Sequence, residues 1–324
     1  MKRIASVLCA IMVFSAAGFL FARGAGDSGE TYPARPVEVT MVFGAGSAAD
    51  TTARKFSDLA QPYLGQPLPV VNRTGGGTSV GYIHARDQKP DGYNIVWTSN
   101  GFLTAYYQGS VPFNYDAFRN IARVSYEPIS IAVRADAPWK TMEEFFRYIQ
   151  ANPGTVRIGN SGVGTFTHLV AVAIEHRAGS SVVHVPFGQG LAFASLMGGQ
   201  IEASVQIPSE ILAQVDAGEL RILAVSSKER IETLPNIPTL KESNVDVEMI
   251  LWRGLAVPLG TPDNVAKILE EVARKVVSSK EFRDFSDSIS IIPAFMPEAE
   301  FAGFLAEDDK FIRELMTSIG ANTR

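Results

Sequence analysis

Four short loops hold most of the residues in this chain that could do chemistry, and all are built from glycines and hydroxyls. The first is Phe43-Gly44-Ala45-Gly46-Ser47-Ala48-Ala49-Asp50. Small residues let backbone N–H groups converge, and a helix starting directly after them adds the positive end of its dipole. The natural guest is an anion. Ser47 suits the N-cap of that helix and can also face a ligand. Asp50 falls in the first turn, where a carboxylate complements the dipole, and a bond back to its own loop is its plainer role. Arg54, at i,i+4 from Asp50, reads as its ion-pair partner on the helix surface. The second loop, Asn72-Arg73-Thr74-Gly75-Gly76-Gly77-Thr78-Ser79, reads either as a mobile turn or as a second set of donors, with Thr78 or Ser79 capping a helix. Ser99 and Asn100 stand in the equivalent place after a third strand. Asn160-Ser161-Gly162-Val163-Gly164-Thr165 does so in the second half of the chain. Such loops, presented from two lobes, would clamp a carboxylate at either end.

The same residues offer little to an enzyme. The histidines are His84, His168, His176 and His184. His168 stands three residues beyond Thr165, and Asp50, Ser161 and His168 can be written as a triad. No G-x-S-x-G elbow supports it, and His168 reads as a residue that caps or packs near the loop. There is no HExxH spacing for a metal and no GxxxxGK[ST] or GxGxxG for a nucleotide. We therefore expect no catalytic set, no metal and no cofactor.

The loops need strands to aim them. From Tyr32 onward the pattern is strand, glycine-containing turn, helix, repeated, which is α/β order with a largely parallel sheet. Val37–Val42, Leu68–Val71 and Asn94–Trp97 read as strands, and Ala49–Tyr63 as an amphipathic helix. A long connector over 108–128 follows. The pattern restarts at Ile129, with Phe166–His176 a helix and Ala203–Gln206 a strand whose Gln206 can donate and accept towards a ligand. The late helices are expected to cover the first sheet. These expectations give lobe 1 as 32–128 with 253–324 and lobe 2 as 129–252. Two crossings make a hinge, and the ligand cleft lies between the lobes. Trp252 sits at the return crossing, where one ring face could line the cleft. Loops at strand carboxyl ends are where such sheets place ligands.

The chain opens with Lys2-Arg3 and an almost unbroken apolar run from Ile4 to Phe21, ending at Ala22. This order describes a secretory signal peptide over 1–22, with a retained membrane anchor as the rival reading. Residues 23–31 read as a flexible leader. Cys9, the one cysteine, lies inside the apolar run, so the exported chain has neither disulfide nor thiol nucleophile. Cleavage removes two positive charges and takes the formal charge from −5 to −7, which argues against nucleic acid as a partner.

The ordered set of fragments resembles the receptors of the tripartite tricarboxylate transporter family, the TctC or Bug-type solute-binding proteins. The resemblance runs from Tyr32-Pro33-x-Arg35-Pro36 through Phe43-x-Ala45-Gly46, Asn72-Arg73-x-Gly75 and Pro90-Asp91-Gly92-Tyr93. It continues through Ser161-Gly162-x-Gly164-Thr165, His184-Val185-Pro186-Phe187, Pro235-Asn236-Ile237-Pro238-Thr239 and Trp252-x-Gly254. It implies a type II periplasmic-binding fold of two lobes joined by two crossings. The implied function is capture of a small organic carboxylate in the periplasm and delivery to a membrane permease. The implied form is a monomer, and the alternatives are a carboxylate sensor for a signalling partner and an exported α/β hydrolase. Carried over by position, the contacts fall on Gly44 to Ala49, the Gly75–Thr78 turn, Ser161 and Thr165. Two departures bear on the ligand. Val42 and Ser47 replace a proline and a glycine, and Phe187-Gly188 replaces an aromatic-plus-lysine pair, so the distal cleft loses a hydroxyl and an ammonium.

Overall fold

The computed structural model describes residues 32–187 and 192–320. The expected signal peptide, the leader and Gly188 lie outside them.

The chain first runs β1 (Glu38–Met41), α1 (Ala48–Leu64), β2 (Val70–Asn72), α2 (Ser79–Arg86), β3 (Asn94–Ser99), α3 (Gly101–Tyr107) and β4 (Phe118–Pro128). It continues as β5 (Ser130–Arg134), α4 (Met142–Ala151), β6 (Arg157–Asn160), α5 (Phe166–Ala178), β7 (Val183–Pro186), α6 (Ala192–Met197), β8 (Ala203–Gln206), α7 (Leu212–Asp216) and β9 (Leu220–Val225). It closes with β10 (Ile250–Pro258), α8 (Asp263–Val277), α9 (Lys280–Ser288), β11 (Ile292–Pro297) and α10 (Glu298–Ser318).

Two mixed sheets result, in the orders β11-β4-β10-β3-β1-β2 and β7-β6-β8-β5-β9. The parallel character expected from the sequence holds for β2-β1-β3 and for β7-β6-β8. It fails for β4, β5, β9, β10 and β11, each paired antiparallel to a neighbour. The reason is topological. A chain that leaves one sheet through β4 and returns to it through β10 brings the two in opposite directions, so they pair as neighbours.

The long connector expected over 108–128 is also corrected, since β4 fills its second half. Arg119, Arg123 and Glu127 interrupt the apolar pattern of that strand and hid it. β11 carries Pro293 and Pro297 and occupies the sheet edge, the place a proline-bearing strand can hold.

Helices cover both faces of the first sheet. Trp97 and Ile95 pack with Phe56 of α1 and Leu269 of α8, while Val96 packs with Tyr82 of α2 and Phe102 of α3. Cover on both faces leaves every residue of β3 buried, Asn94, Thr98 and Ser99 included. In α5, ten of thirteen residues are buried, so it has no solvent stripe and lies between layers. One layer over it is α10, whose Ile312, Leu315 and Met316 join the core of Leu169 and Val170. The other end of α10 packs Phe301 and Leu305 on Trp252. The last helix therefore spans both sheets instead of covering the first alone.

The crossings touch each other. Ile129 alone separates β4 from β5; its N–H donates to Ser226 Oγ at 2.9 Å, and Ser226 N–H donates to Ile129 O at 2.8 Å. Met249 N–H, at the end of the return crossing, donates to Ser226 O at 2.8 Å.

Candidate functional site

The strand ends of the two sheets face a cavity of about 340 Å³. The first sheet contributes Phe43 after β1, Gly77 and Thr78 before α2, Ser99 at the end of β3, and Gly101, Thr104 and Gln108 from α3. The second contributes Ser161 and Gly164 to Thr167 from the β6–α5 connection, and Ile207 and Glu210 after β8. Leu251 and Arg253 of β10 complete it. Grooves of about 600 and 560 Å³ lie elsewhere, one along Glu229–Thr233 and one beside Arg35 and Glu38; the loops singled out by sequence do not line them, apart from Arg73.

The first loop is built around Asp50. Its Oδ2 accepts Gly46 N–H at 2.9 Å and Arg54 Nε at 3.0 Å, and its Oδ1 accepts Arg54 Nη2 at 2.9 Å and Asn72 Nδ2 at 2.8 Å. Asn72 Nδ2 also donates to Phe43 O at 3.0 Å. Burial alone would raise the carboxyl's pKa, but these donors outweigh it and hold it below the usual range. Arg54 is thus more than a surface partner, since it helps fix the loop. Ser47 caps α1 by accepting Asp50 N–H at 3.2 Å. Gly44, Ala45, Gly46, Ser47 and Ala48 do not line the cavity, although Phe43 does. The expected donor set also shrinks, because Gly46 N–H is taken by Asp50 and Ser47 N–H by Gly44 O.

In the second loop Gly75, Gly76 and Gly77 all have positive φ, which a glycine run permits. Thr78 follows at φ 77°, a left-handed conformation that costs a β-branched residue about 1–3 kcal/mol. It stands at the N-cap of α2 without capping it, as its hydroxyl donates to Gly77 O. Gly77 and Thr78 reach the cavity; Gly75 and Gly76 do not.

Ser99 lines the cavity with its Oγ accepting Gly101 N–H at 3.1 Å. Asn100 does not. It is fully buried and donates from Nδ2 to Ile250 O at 2.8 Å, which ties the end of β3 to the return crossing.

In the β6–α5 connection, Thr165 caps α5. Its Oγ1 donates to Gly162 O at 2.7 Å and lies 3.4 Å from His168 N. Thr165 lines the cavity, with its hydroxyl engaged by its own loop. Among the described residues the Ser161 hydroxyl meets no acceptor, while its N–H donates to Thr167 Oγ1 at 2.9 Å. Gln108 reaches across from α3 and donates to Val163 O at 2.8 Å. A Cβ at Gly164 would collide with that amide. His168 lies behind the loop, buried, with Nδ1 accepting Gly164 N–H at 3.0 Å. Burial, reinforced by His184 at 4.7 Å between ring centroids, pushes it down to about 4. A neutral ring committed to the backbone is no general base for Ser161.

The floor holds charges that sequence reasoning passed over. Arg253 pairs in register with Ser99 on one side and Ser125 on the other, so its side chain shares their face of the sheet. It meets Glu127, two residues along β4, through Nε–Oε1 and Nη2–Oε2 contacts of 3.1 Å each. Both side chains are at most 3% exposed. The third nitrogen, Nη1, has no acceptor among the described residues, and the guanidinium carbon stands 5.2 Å from the Phe43 centroid. Gln206 lies beneath the lining, with Nε2 donating to Glu210 Oε2 at 3.3 Å and Oε1 buried without a partner among the described residues. The period of two that points Arg253 to the cavity points Trp252 away from it. Trp252 is buried, and its Nε1 donates to Asp308 Oδ2 at 2.6 Å. A lone arginine inside Ile250–Pro258, otherwise apolar, was the available signal. Among the described residues no cluster of His, Cys, Asp or Glu is placed to hold a metal ion.

Known proteins agree with this architecture. The sequence model of the tripartite tricarboxylate transporter family receptors, TctC, matches residues 52–320. A ligand-free TctC solute-binding protein from Polaromonas is 36% identical, with a TM-score of 0.78 over 89% of this chain and 100% of that one. A Cupriavidus necator protein of the UPF0065 group is 27% identical over 314 residues, 96% of this chain and 95% of its own. MatC from Rhodopseudomonas palustris with bound malate, 21% identical, shares the fold at a TM-score of 0.74 over 88% of this chain and 99% of that one. This chain belongs to the receptors of the tripartite tricarboxylate transporter family, solute-binding proteins and not enzymes.

Proposed function

We propose that this receptor captures a small organic carboxylate in the periplasm, between its two sheets, and hands it to the membrane permease of a tripartite transporter. One observation carries the reading. Arg253, whose Nη1 has no acceptor among the described residues, lies on a cavity that also receives Ser161 from the opposite sheet and the starts of α2, α3 and α5. A guanidinium, a hydroxyl and helix N-termini all favour an anion. A cavity of about 340 Å³ lies at the small end of ligand sites. The family itself is one of transporter receptors, which supports the permease as partner. Lobe closure would run through the crossings at Ile129 and at 226–249, with Gln108 and Val163 as one contact across the cleft. Gly77, Thr78 and Ser99 would flank the carboxylate from the first sheet.

A thermal-shift screen of the purified receptor against a panel of mono-, di- and tricarboxylates tests this. At a hundred times Kd a ligand adds about 2.7 kcal/mol of stability, enough to raise the melting temperature clearly. No shift with any carboxylate would sink the small-acid reading.

A further inference from the structure

The carboxylates on and beneath the cavity wall pose a problem for a ligand that is only an acid. Glu210 lines the cavity, half-buried. Glu127 and Arg253 lie near enough to act on its charge. Both Glu127 oxygens are committed to Arg253. Counting formal charges, two carboxylates face one guanidinium. Gln206 donates to Glu210 and leaves its own Oε1 buried with no donor among the described residues. Acceptors outnumber donors around Glu210, while Arg253 and Ser161 offer donors to the same cavity.

We propose that the ligand carries a cationic ammonium group beside its carboxylate, and that Glu210, positioned by Gln206, is the residue that selects it. This rests on the carboxylate reading and names the class of acid. The carboxylate would lie at Arg253 Nη1 and Ser161, and the ammonium would lie against Glu210, with the apolar walls of Ile207 and Leu251 alongside. A plain diacid would bring a second negative charge to Glu210 and leave that acceptor unpaired, which is the strongest way such a site rejects an analogue. Burial, with repulsion from Glu127, pushes the Glu210 carboxyl above its usual range in the absence of a cation. An ammonium would reverse that by stabilising the charged form.

Calorimetry with matched pairs tests the assignment: aspartate against succinate, glutamate against glutarate, and n-butylamine as an amine without a carboxylate. The expected result is that one amino acid binds at least about ten-fold tighter than its matched diacid, as a charge-assisted hydrogen bond would give. Glu210→Gln, which keeps the shape, should collapse that ratio towards one, with the melting temperature of the unliganded protein as the check on folding. Glu210→Ala serves as the second variant. Diacids that bind as tightly as amino acids in the parent would overturn the proposal, as would a ratio unchanged in both variants. A diacid preference that fades as pH rises would also overturn it, since Glu210 would then be donating a proton to a second carboxylate. Binding of the amine with no binding of any acid would refute the carboxylate reading itself and leave the cation site standing.

Discussion

The Arg253–Glu127 pair gives the sharpest test of the floor, because stability and recognition should separate there. Both groups are buried, and each nitrogen–oxygen contact is 3.1 Å. Removing either partner strands a charge in a poorly solvated place, at a cost of about 3–5 kcal/mol. Arg253→Met and Glu127→Gln should each lose stability on that scale, a large part of the ~5–15 kcal/mol available to a domain. The double variant Arg253→Met/Glu127→Gln carries neither charge of the pair and should recover most of the loss. Binding should follow a different order. A charge-assisted hydrogen bond from Nη1 is worth about 1.5–3 kcal/mol, or roughly 10- to 150-fold in Kd. The double variant, though folded, should bind the acid that much more weakly, while Glu127→Gln, which retains the guanidinium, should bind better than the double variant. Urea unfolding and calorimetry on all four proteins complete the cycle. A double variant with parental affinity would mean that Arg253 only neutralises Glu127. One as unstable as the summed singles would mean that the two charges are not coupled.

Ser161→Ala should weaken acid binding by about ten-fold with little change in stability, whereas Thr165→Ala should cost about 1 kcal/mol of stability through the lost cap and less affinity; the reverse ranking in calorimetry would refute the hydroxyl assignment. Asp50→Asn should loosen the first loop and remove an acid-side transition. The folded carboxyl titrates below its unfolded value, so its stabilisation is present above that value and is lost as pH falls through the folded one. Unchanged acid unfolding of the variant would contradict this. His168 and Asp308 should have opposing pH effects. His168, depressed to about 4, makes stability fall as pH drops from about 6.5 to about 4. Asp308, raised to about 7 chiefly by burial, makes it fall as pH climbs from about 4 to about 7. His168→Gln should unmask the second slope and Asp308→Asn the first in denaturant titrations across that range; two variants that track the parent would show that neither group matters.

The sequence made the glycine loops visible because their chemistry is local. Ser47 at the start of α1 and Thr165 at the start of α5 sit where cap preferences put them, and both caps form. What each loop does with its donors was not visible. Whether Gly46 N–H faces a ligand or Asp50 depends on Asn72, 22 residues further on, which is only brought alongside when β2 pairs with β1. The charged floor was hidden more deeply. Glu127 and Arg253 lie 126 positions apart, and each alone reads as a break in a strand. Glu127 helped to disguise β4 as connector, and Trp252 drew attention from the arginine beside it. A buried ion pair is a tertiary fact. Either residue in isolation predicts exposure, and only the pairing of β4 with β10 makes burial tolerable.

That pairing also bears on how the receptor would close. A hinge made of two bare crossings would let the lobes swing freely, but here the crossings are bonded to each other through Ser226, and Asn100 fastens the end of β3 to Ile250. The last helix adds a third link, with Phe301 and Leu305 seated on β10 and Ile312, Leu315 and Met316 in the core of the other sheet. Large rotation would pull one end of α10 from its packing, and the burial of each such side chain is worth about 1.5–3 kcal/mol. One acid held through a few hydrogen bonds does not offset several of those. Closure in this receptor should therefore be a small shear of packed helices about Ser226, with side chains such as Gln108 making the final contacts. The proposed ligand would then meet a cavity whose floor is largely set before it arrives, and a largely set floor would give the Arg253, Glu127 and Glu210 charges their power to discriminate.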